Sequence, residues 1–317
     1  MLRIICAICA VLCAWPAWAD VAARVDAAFR GWATDVGARD AALTLWIDGT
    51  PVHDVHLGAA RTDLPVELAS LSKAVTASCV AALMEEGLLY AETTSRDVLG
   101  AGTRGVQVKG LLTHASGLAP DETQVLMAFW LNSGTDSTAV ASQRALARPL
   151  GPDSAYFYNN ENYAVLGEMI AAITGQSYAQ ACRQRVLAPA GSATARPSPA
   201  TGNFLAFGGW QMSLQDYARF LNWSYGPEGV VGARAHRLPA APVSEHVSYG
   251  MGMFQRPWGP GYHFWHFGAL CFPGRLETGS YAVRWQSGVS IVASYDRCLT
   301  DAQTIALDAA LVAAVFQ

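Results

Sequence analysis

The chain has 317 residues, 52% hydrophobic and only 15% charged, with a formal net charge of −4. So apolar a composition excludes intrinsic disorder and supplies core enough for one large domain or two fused halves. No basic cluster occurs anywhere along it, which argues against nucleic acid as a partner.

Residues 1–19, MLRIICAICAVLCAWPAWA, have the form of a secretory leader. Arg3 supplies the positive start, Ile4 to Leu12 the apolar stretch, and Ala17-Trp18-Ala19 a small-x-small cleavage site before Asp20. The apolar run is too short to span a bilayer, and no later segment is long and apolar enough to do so. The expectation is a periplasmic or secreted domain of residues 20–317 with no transmembrane segment after cleavage. An uncleaved anchor is the competing reading.

Of the 7 cysteines, Cys6, Cys9 and Cys13 would leave with the leader, and the residues before them do not suit a lipoprotein cysteine. Cys79, Cys182, Cys271 and Cys298 would remain in an oxidising compartment. Cys271 and Cys298 are expected to pair, because each follows a strand pattern ending at the same sheet edge. Pairing of Cys79 with Cys182 is disfavoured, since Cys79 should face the core. None of the four has zinc-site spacing, and His53, His56, His236, His246 and His263 show no ligand spacing either, so no metal or other cofactor is expected.

In chain order, AALTLWIDGTPVHDVHLG (41–58) alternates about Asp48-Gly49 and predicts a β-hairpin. Ser70 then opens an apolar helix that runs to Gly87, a suitable residue just past a helix end. From there to about residue 225 the chain reads as mainly helical, in 123–132, 162–175, 177–187 and 213–223. The last of these opens with Ser213 and Asp216 in capping-box spacing. Residues 188–200, rich in Pro, Ala and Ser, read as a surface loop. Strand patterns return after residue 248 as YGMGMFQ, YHFWHFG, GSYAVRWQ and VSIVASY, and DAQTIALDAALVAAVF closes the chain as a helix. This order predicts an α/β protein of the α+β type. Both chain ends (about 20–69 and 245–317) would share one antiparallel sheet flanked by helices, with an all-helical subdomain (about 70–244) inserted.

Only two of the 21 basic residues are lysines, Lys73 and Lys109. A surface charge can be arginine, but an amine that must give up its proton cannot, because guanidinium stays protonated. Lys73 follows Ser70 by three residues, so on a helix the two side chains share a face as nucleophile and base. Ser72 is adjacent to Lys73 and does not face it. Ser-x-x-Lys alone is weak evidence; its context strengthens it, since at a helix start Ser70 meets the positive end of the dipole, which favours a developing oxyanion. Two further stretches complete a constellation: Tyr158-Asn159-Asn160 ahead of a helix, and His266-Phe267-Gly268 on a strand before a turn.

With these residues the sequence resembles the serine β-lactamase and penicillin-binding-protein superfamily, closest to its class C-like branch of esterases and D,D-peptidases. VKGLLTHASGL (108–118) is similar to that branch's LLTHTSGL segment, and FGGWQMSLQDYARFL to its Gly-Gly…Ser…Asp…Phe-Leu helix. The resemblance covers most of the chain from about residue 40 and implies a β-lactamase/transpeptidase-like fold. It implies that Ser70 is the nucleophile, Lys73 its proton acceptor, and Tyr158 the partner that protonates the leaving group and later activates water, through an acyl-enzyme. Asn160 would hold a substrate amide or carbonyl and steady Lys73. His266 would donate towards Tyr158 and the substrate. Gly268 would let the strand approach closely, and the N–H of Ala269 would join that of Ser70 as an oxyanion hole.

Phe267 departs from the pattern, where the family often carries Ser, Thr or Gly. A phenyl ring cannot donate to a substrate carboxylate, so the resemblance implies a small-molecule or peptide-like ester or amide substrate rather than a β-lactam. His114 in LTHASGL is expected to be a turn hydrogen-bonder and not a base. The competing functions are a D,D-carboxypeptidase or β-lactamase, and a non-catalytic module that binds cell-wall fragments. Joint retention of Ser70, Lys73, Tyr158 and Asn160 favours catalysis.

Overall fold

The computed structural model describes residues 2–152 and 155–317, with side chains described from Trp18 onwards. Cys6, Cys9, Cys13 and most of the expected leader lie outside the described side chains. Among the described residues no helix is long and apolar enough to cross a membrane.

Helix α1 (Leu2–Asp35) is followed by the predicted hairpin, β1 (Ala41–Ile47) and β2 (Thr50–Leu57). A short strand β3 (Val66–Glu67) and a 3₁₀ turn (Ala69–Leu71) lead into α2 (Ser72–Glu85). The inserted half contains α3 (Ser95–Leu99), α4 (Val108–Thr113), α5 (Thr123–Trp130), α6 (Ser137–Ala147), α7 (Asn160–Thr174) and α8 (Tyr178–Cys182). It continues through β4 (Arg196–Pro197), β5 (Trp210–Met212) and α9 (Leu214–Tyr225). The chain returns to the sheet with β6 (Ala241–Pro242), β7 (Ser248–Gly250), β8 (Met253–Trp258), β9 (Gly261–Phe272), β10 (Leu276–Arg284) and β11 (Val289–Tyr295), and ends in α10 (Asp301–Phe316).

The large sheet has the order β2-β1-β11-β10-β9-β8-β7-β6 with antiparallel neighbours, so the first hairpin joins the last strands through β1 and β11. Every residue of β1 and β11 is buried, because the centre of the sheet is covered on both faces. The period of two sorts their side chains between two cores. Leu43, Leu45, Ile291 and Ala293 pack with Phe29 and Trp32 of α1 and Leu307 and Leu311 of α10. Ala42, Trp46 and Val292 face the inserted half. At the centre of that second core lies α2, buried all round from Ser72 to Leu83; its Ala, Ser and Cys residues leave room for neighbours on every side.

Three features differ from expectation. YGMGMFQ (249–255), expected as one strand, is split by a turn at Met251-Gly252, both with positive φ, into β7 and the start of β8. A three-stranded sheet, β3-β5-β4, draws β3 from the segment read as part of the sheet half and β4 and β5 from the half read as all-helical, with β4 inside the loop expected at 188–200. Strands of two or three residues carry no readable periodicity. The expected Cys271–Cys298 disulfide forms, with Cα atoms 5.6 Å apart, but Cys79 also pairs with Cys182, at 5.3 Å. Cys79 does face the core; Cys182 on α8 is buried in that same core, so burial brings the two together.

Candidate active site

The turn that carries Ser70 is held from both halves of the molecule. Ala69 has a φ of 48°, a left-handed conformation that a non-glycine residue adopts only when its surroundings enforce it. The Leu68 N–H donates to the Trp210 carbonyl (2.9 Å), and the Leu68 carbonyl accepts from Ser280 Oγ on β10 (2.8 Å). Just upstream, the Glu67 carboxylate accepts from Ser198 Oγ, Thr201 Oγ1 and Gln211 Nε2 at 2.5, 2.8 and 2.9 Å. Glu67 thereby orders the segment that contains Phe207. Ser70 itself sits in the 3₁₀ turn, two residues before α2 begins, and is partly exposed.

Lys73 is fully buried, and its Nζ makes two contacts: Ser70 Oγ at 3.0 Å and the Phe207 carbonyl at 2.8 Å. Burial lowers its pKa to about 7, against a smaller opposing pull from the Asp121 carboxylate. In the neutral amine one N–H is held by Phe207, which leaves the lone pair free for the Ser70 proton. On the other side Tyr158 Oη donates to Ser70 Oγ at 2.9 Å. Burial pushes the Tyr158 phenol upward, so in the resting site it is an un-ionised donor. Ser72 is excluded as a nucleophile: it is buried, and its Oγ accepts from the Trp210 N–H (3.2 Å).

The remaining predicted residues divide. Gly268 lies where expected, since a Cβ there would come within 2.3 Å of Ser280 Oγ and 2.6 Å of the Leu68 carbonyl. Ala269 is opposite Gly279 of β10, while β8 pairs with β9 only as far as Trp265. One edge of β9 from His266 to Phe272 is therefore not paired by a strand, and this edge carries the Ala269 N–H.

Three roles need correction. Asn160 does not steady Lys73: its Nδ2 donates to Thr123 Oγ1 (2.9 Å) and its N–H to Asp121 (3.1 Å), which turns the side chain towards the start of α5. The Phe207 carbonyl steadies the amine instead. His266 is not a donor to Tyr158 or to a substrate. It is buried, its Nδ1 meets the Phe267 carbonyl (2.5 Å) and its Nε2 meets Tyr249 Oη (3.2 Å). Donation from Nδ1 leaves Nε2 to accept from Tyr249, and burial together with Lys73 lowers the ring's pKa to about 3, keeping it neutral. Phe267 points to the other face of the sheet, where its ring packs against Tyr281 at 4.8 Å between centroids.

Sequence reasoning missed Phe207, Asp121, Glu67 and Ser280. A backbone carbonyl leaves no side-chain signature, and the only pointer to Phe207 was the Gly208-Gly209 pair that follows it. Among the described residues no group of three or more His, Cys, Asp or Glu side chains is placed to hold a metal ion.

Two curated relatives share parts of the chain. One, described as penicillin-binding protein 4 of Amycolatopsis lactamdurans, is 31% identical over 170 residues, which is 48% of this chain and 42% of the relative. The other, penicillin-binding protein 4* of Bacillus subtilis strain 168, is 32% identical over 136 residues, 41% of this chain and 30% of the relative. The matched region is thus less than half the length of either. The fold is shared with the octameric penicillin-binding protein homologue from Pyrococcus abyssi (TM-score 0.75, 18% identity, 92% of this chain and 77% of that one). It is shared equally with the D-amino acid amidase from Ochrobactrum anthropi SV3 (TM-score 0.74, 18% identity, 93% and 98%). The family model described as Beta-lactamase matches residues 25–293, most of the length of this sequence. The chain belongs to the β-lactamase family, within the serine β-lactamase and penicillin-binding-protein superfamily.

Proposed function

We propose that the protein is a secreted or periplasmic serine hydrolase that cleaves a neutral ester or amide through an acyl-enzyme on Ser70. The observation that carries this reading is the convergence of Lys73 Nζ and Tyr158 Oη on one partly exposed hydroxyl, at 3.0 and 2.9 Å. Neutral Lys73 takes the Ser70 proton as Oγ attacks the carbonyl carbon, and the N–H groups of Ser70 and Ala269 receive the oxyanion. Tyr158 delivers a proton to the leaving group and is resupplied from Lys73. Water then attacks the acyl-enzyme by the reverse route.

A neutral substrate is supported by what the strand presents. His266 is turned inward, Phe267 outward, and Gly268 has no side chain, so this stretch offers N–H groups and no cation for a carboxylate. The nearby Asp121 charge, which acts on both Lys73 and Tyr158, also disfavours an anionic ligand. The names of the two curated relatives support a second reading, a penicillin-reactive D,D-carboxypeptidase or β-lactamase. Secretion is supported by the leader pattern and the two disulfides, and N-terminal sequencing of the exported protein should begin at Asp20.

The catalytic test is intact-mass analysis after a fluorophosphonate probe and, separately, after penicillin. One fluorophosphonate adduct, absent in Ser70→Ala, is expected, with little penicillin adduct. No adduct from either reagent removes the catalytic reading, and stoichiometric penicillin labelling moves the assignment to the second one.

A further inference from the structure

We propose that His114 is a positioning residue for Tyr158, fixing the phenol on which leaving-group protonation depends; the inference rests on the catalytic reading above. His114 closes α4 with a φ of 56°, a left-handed conformation that tucks its side chain under the Tyr158 segment. Its carbonyl accepts from the N–H of Phe157 (2.8 Å), and its Nδ1 accepts from the N–H of Asn159 (3.3 Å). The residues on both sides of Tyr158 are therefore fastened to a single residue from a different helix.

The ring completes the hold. Its centroid lies 4.4 Å from that of the Tyr158 ring, and the Tyr249 and Tyr163 rings stand at 4.7 and 5.1 Å. Asn162 Nδ2 also meets Nδ1, at 3.1 Å, so Nδ1 serves as an acceptor and the proton resides on Nε2. Nε2 is buried with no hydrogen-bond partner among the described residues, which leaves its N–H to the faces of the surrounding tyrosines. Leu or Phe could fill that space, but neither could accept from Asn159. Burial keeps the imidazole neutral, and a protonated Nδ1 could not accept these bonds. No hydrogen bond joins His114 to Ser70 among the described residues, and Tyr158 is the nearest aromatic ring to the imidazole, which makes the phenol the shortest route from His114 to the chemistry.

The experiment compares His114→Asn and His114→Gly on phenyl acetate, a poor leaving group, and 4-nitrophenyl acetate, a good one. Asn tolerates the left-handed conformation and places an acceptor near the position of Nδ1, so it should stay within about threefold of wild type. Gly keeps the backbone but removes both acceptor and ring. It should lower the acylation step, read as kcat/KM, on phenyl acetate by between about tenfold and 100-fold and affect 4-nitrophenyl acetate much less. The readout is kcat/KM because both esters form the same acetyl-enzyme and share its hydrolysis. In a Tyr158→Phe background, His114→Gly should have no further effect.

Equal losses of kcat/KM on the two esters, or full additivity with Tyr158→Phe, would overturn the positioning role while leaving the enzyme reading intact. A wild-type protein that neither takes the fluorophosphonate nor hydrolyses either ester would overturn both. If His114→Gly does not fold, Asn162→Ala, which removes one donor that orients the ring, should show a smaller loss with the same leaving-group dependence; its absence overturns the proposal.

Discussion

At Lys73, the same burial that makes the amine expensive makes it useful. An ammonium with an ordinary pKa of 10.5 could not accept a proton at neutral pH; at about 7, half the molecules hold the free base. The acylation rate should therefore rise with pH through about 7 and level off above it, because the reactive form is the one that has lost the proton. Lys73→Arg should lose nearly all esterase activity, since guanidinium stays charged, whereas Lys109→Arg, at an exposed position, should retain most of it. The acylation rate of each folded variant with one activated ester checks this, and a Lys73→Arg enzyme within threefold of wild type would remove Lys73 as the base. The rarity of lysine made Lys73 legible from the sequence. His266 and Phe267 were misread together, although strand alternation alone places adjacent residues on opposite faces. Phe267→Thr should accordingly leave the ratio of penicillin to ester acylation unchanged. It should cost about 1–2 kcal/mol of stability through lost packing on Tyr281, measured by urea unfolding.

Elements with a long, clean period were legible: the 41–58 hairpin, the last three strands (β9 to β11) and the terminal helix occur where the pattern places them, whereas YGMGMFQ is split by a turn between β7 and β8. The small β3-β5-β4 sheet was not, because its strands are set by tertiary partners and not by local preference. That sheet matters to the site, since β3 precedes the Ser70 turn and β5 follows the segment that holds Lys73. The second disulfide was also misjudged; a cysteine that faces the core can still meet another there. The two bonds close loops of very different size, with sequence separations of 103 and 27. Chain entropy assigns them about 5 and about 3.5 kcal/mol. Replacing Cys79 and Cys182 by Ala should lower the urea-unfolding free energy more than replacing Cys271 and Cys298, by about 1 kcal/mol or more. Equal losses would show that native-state packing, and not loop closure, sets their contributions.

Across the whole molecule, the antiparallel sheet with its inserted helical half was readable from the order of patterns alone. The meeting of the two halves at one turn was not, because it depends on Ser280 reaching Leu68 and on Trp210 reaching the same residue from the other side. The surface carries one further consequence of a composition with two lysines. Lys73 is sealed inside while Lys109 stands exposed at the start of α4. An amine-reactive resin or dye applied to the folded protein thus finds a single side chain, besides the chain's terminal amine. Among lysines, coupling at mildly alkaline pH should use the one face that carries Lys109, and peptide mapping of the conjugate should recover the side-chain tag on Lys109 and not on Lys73.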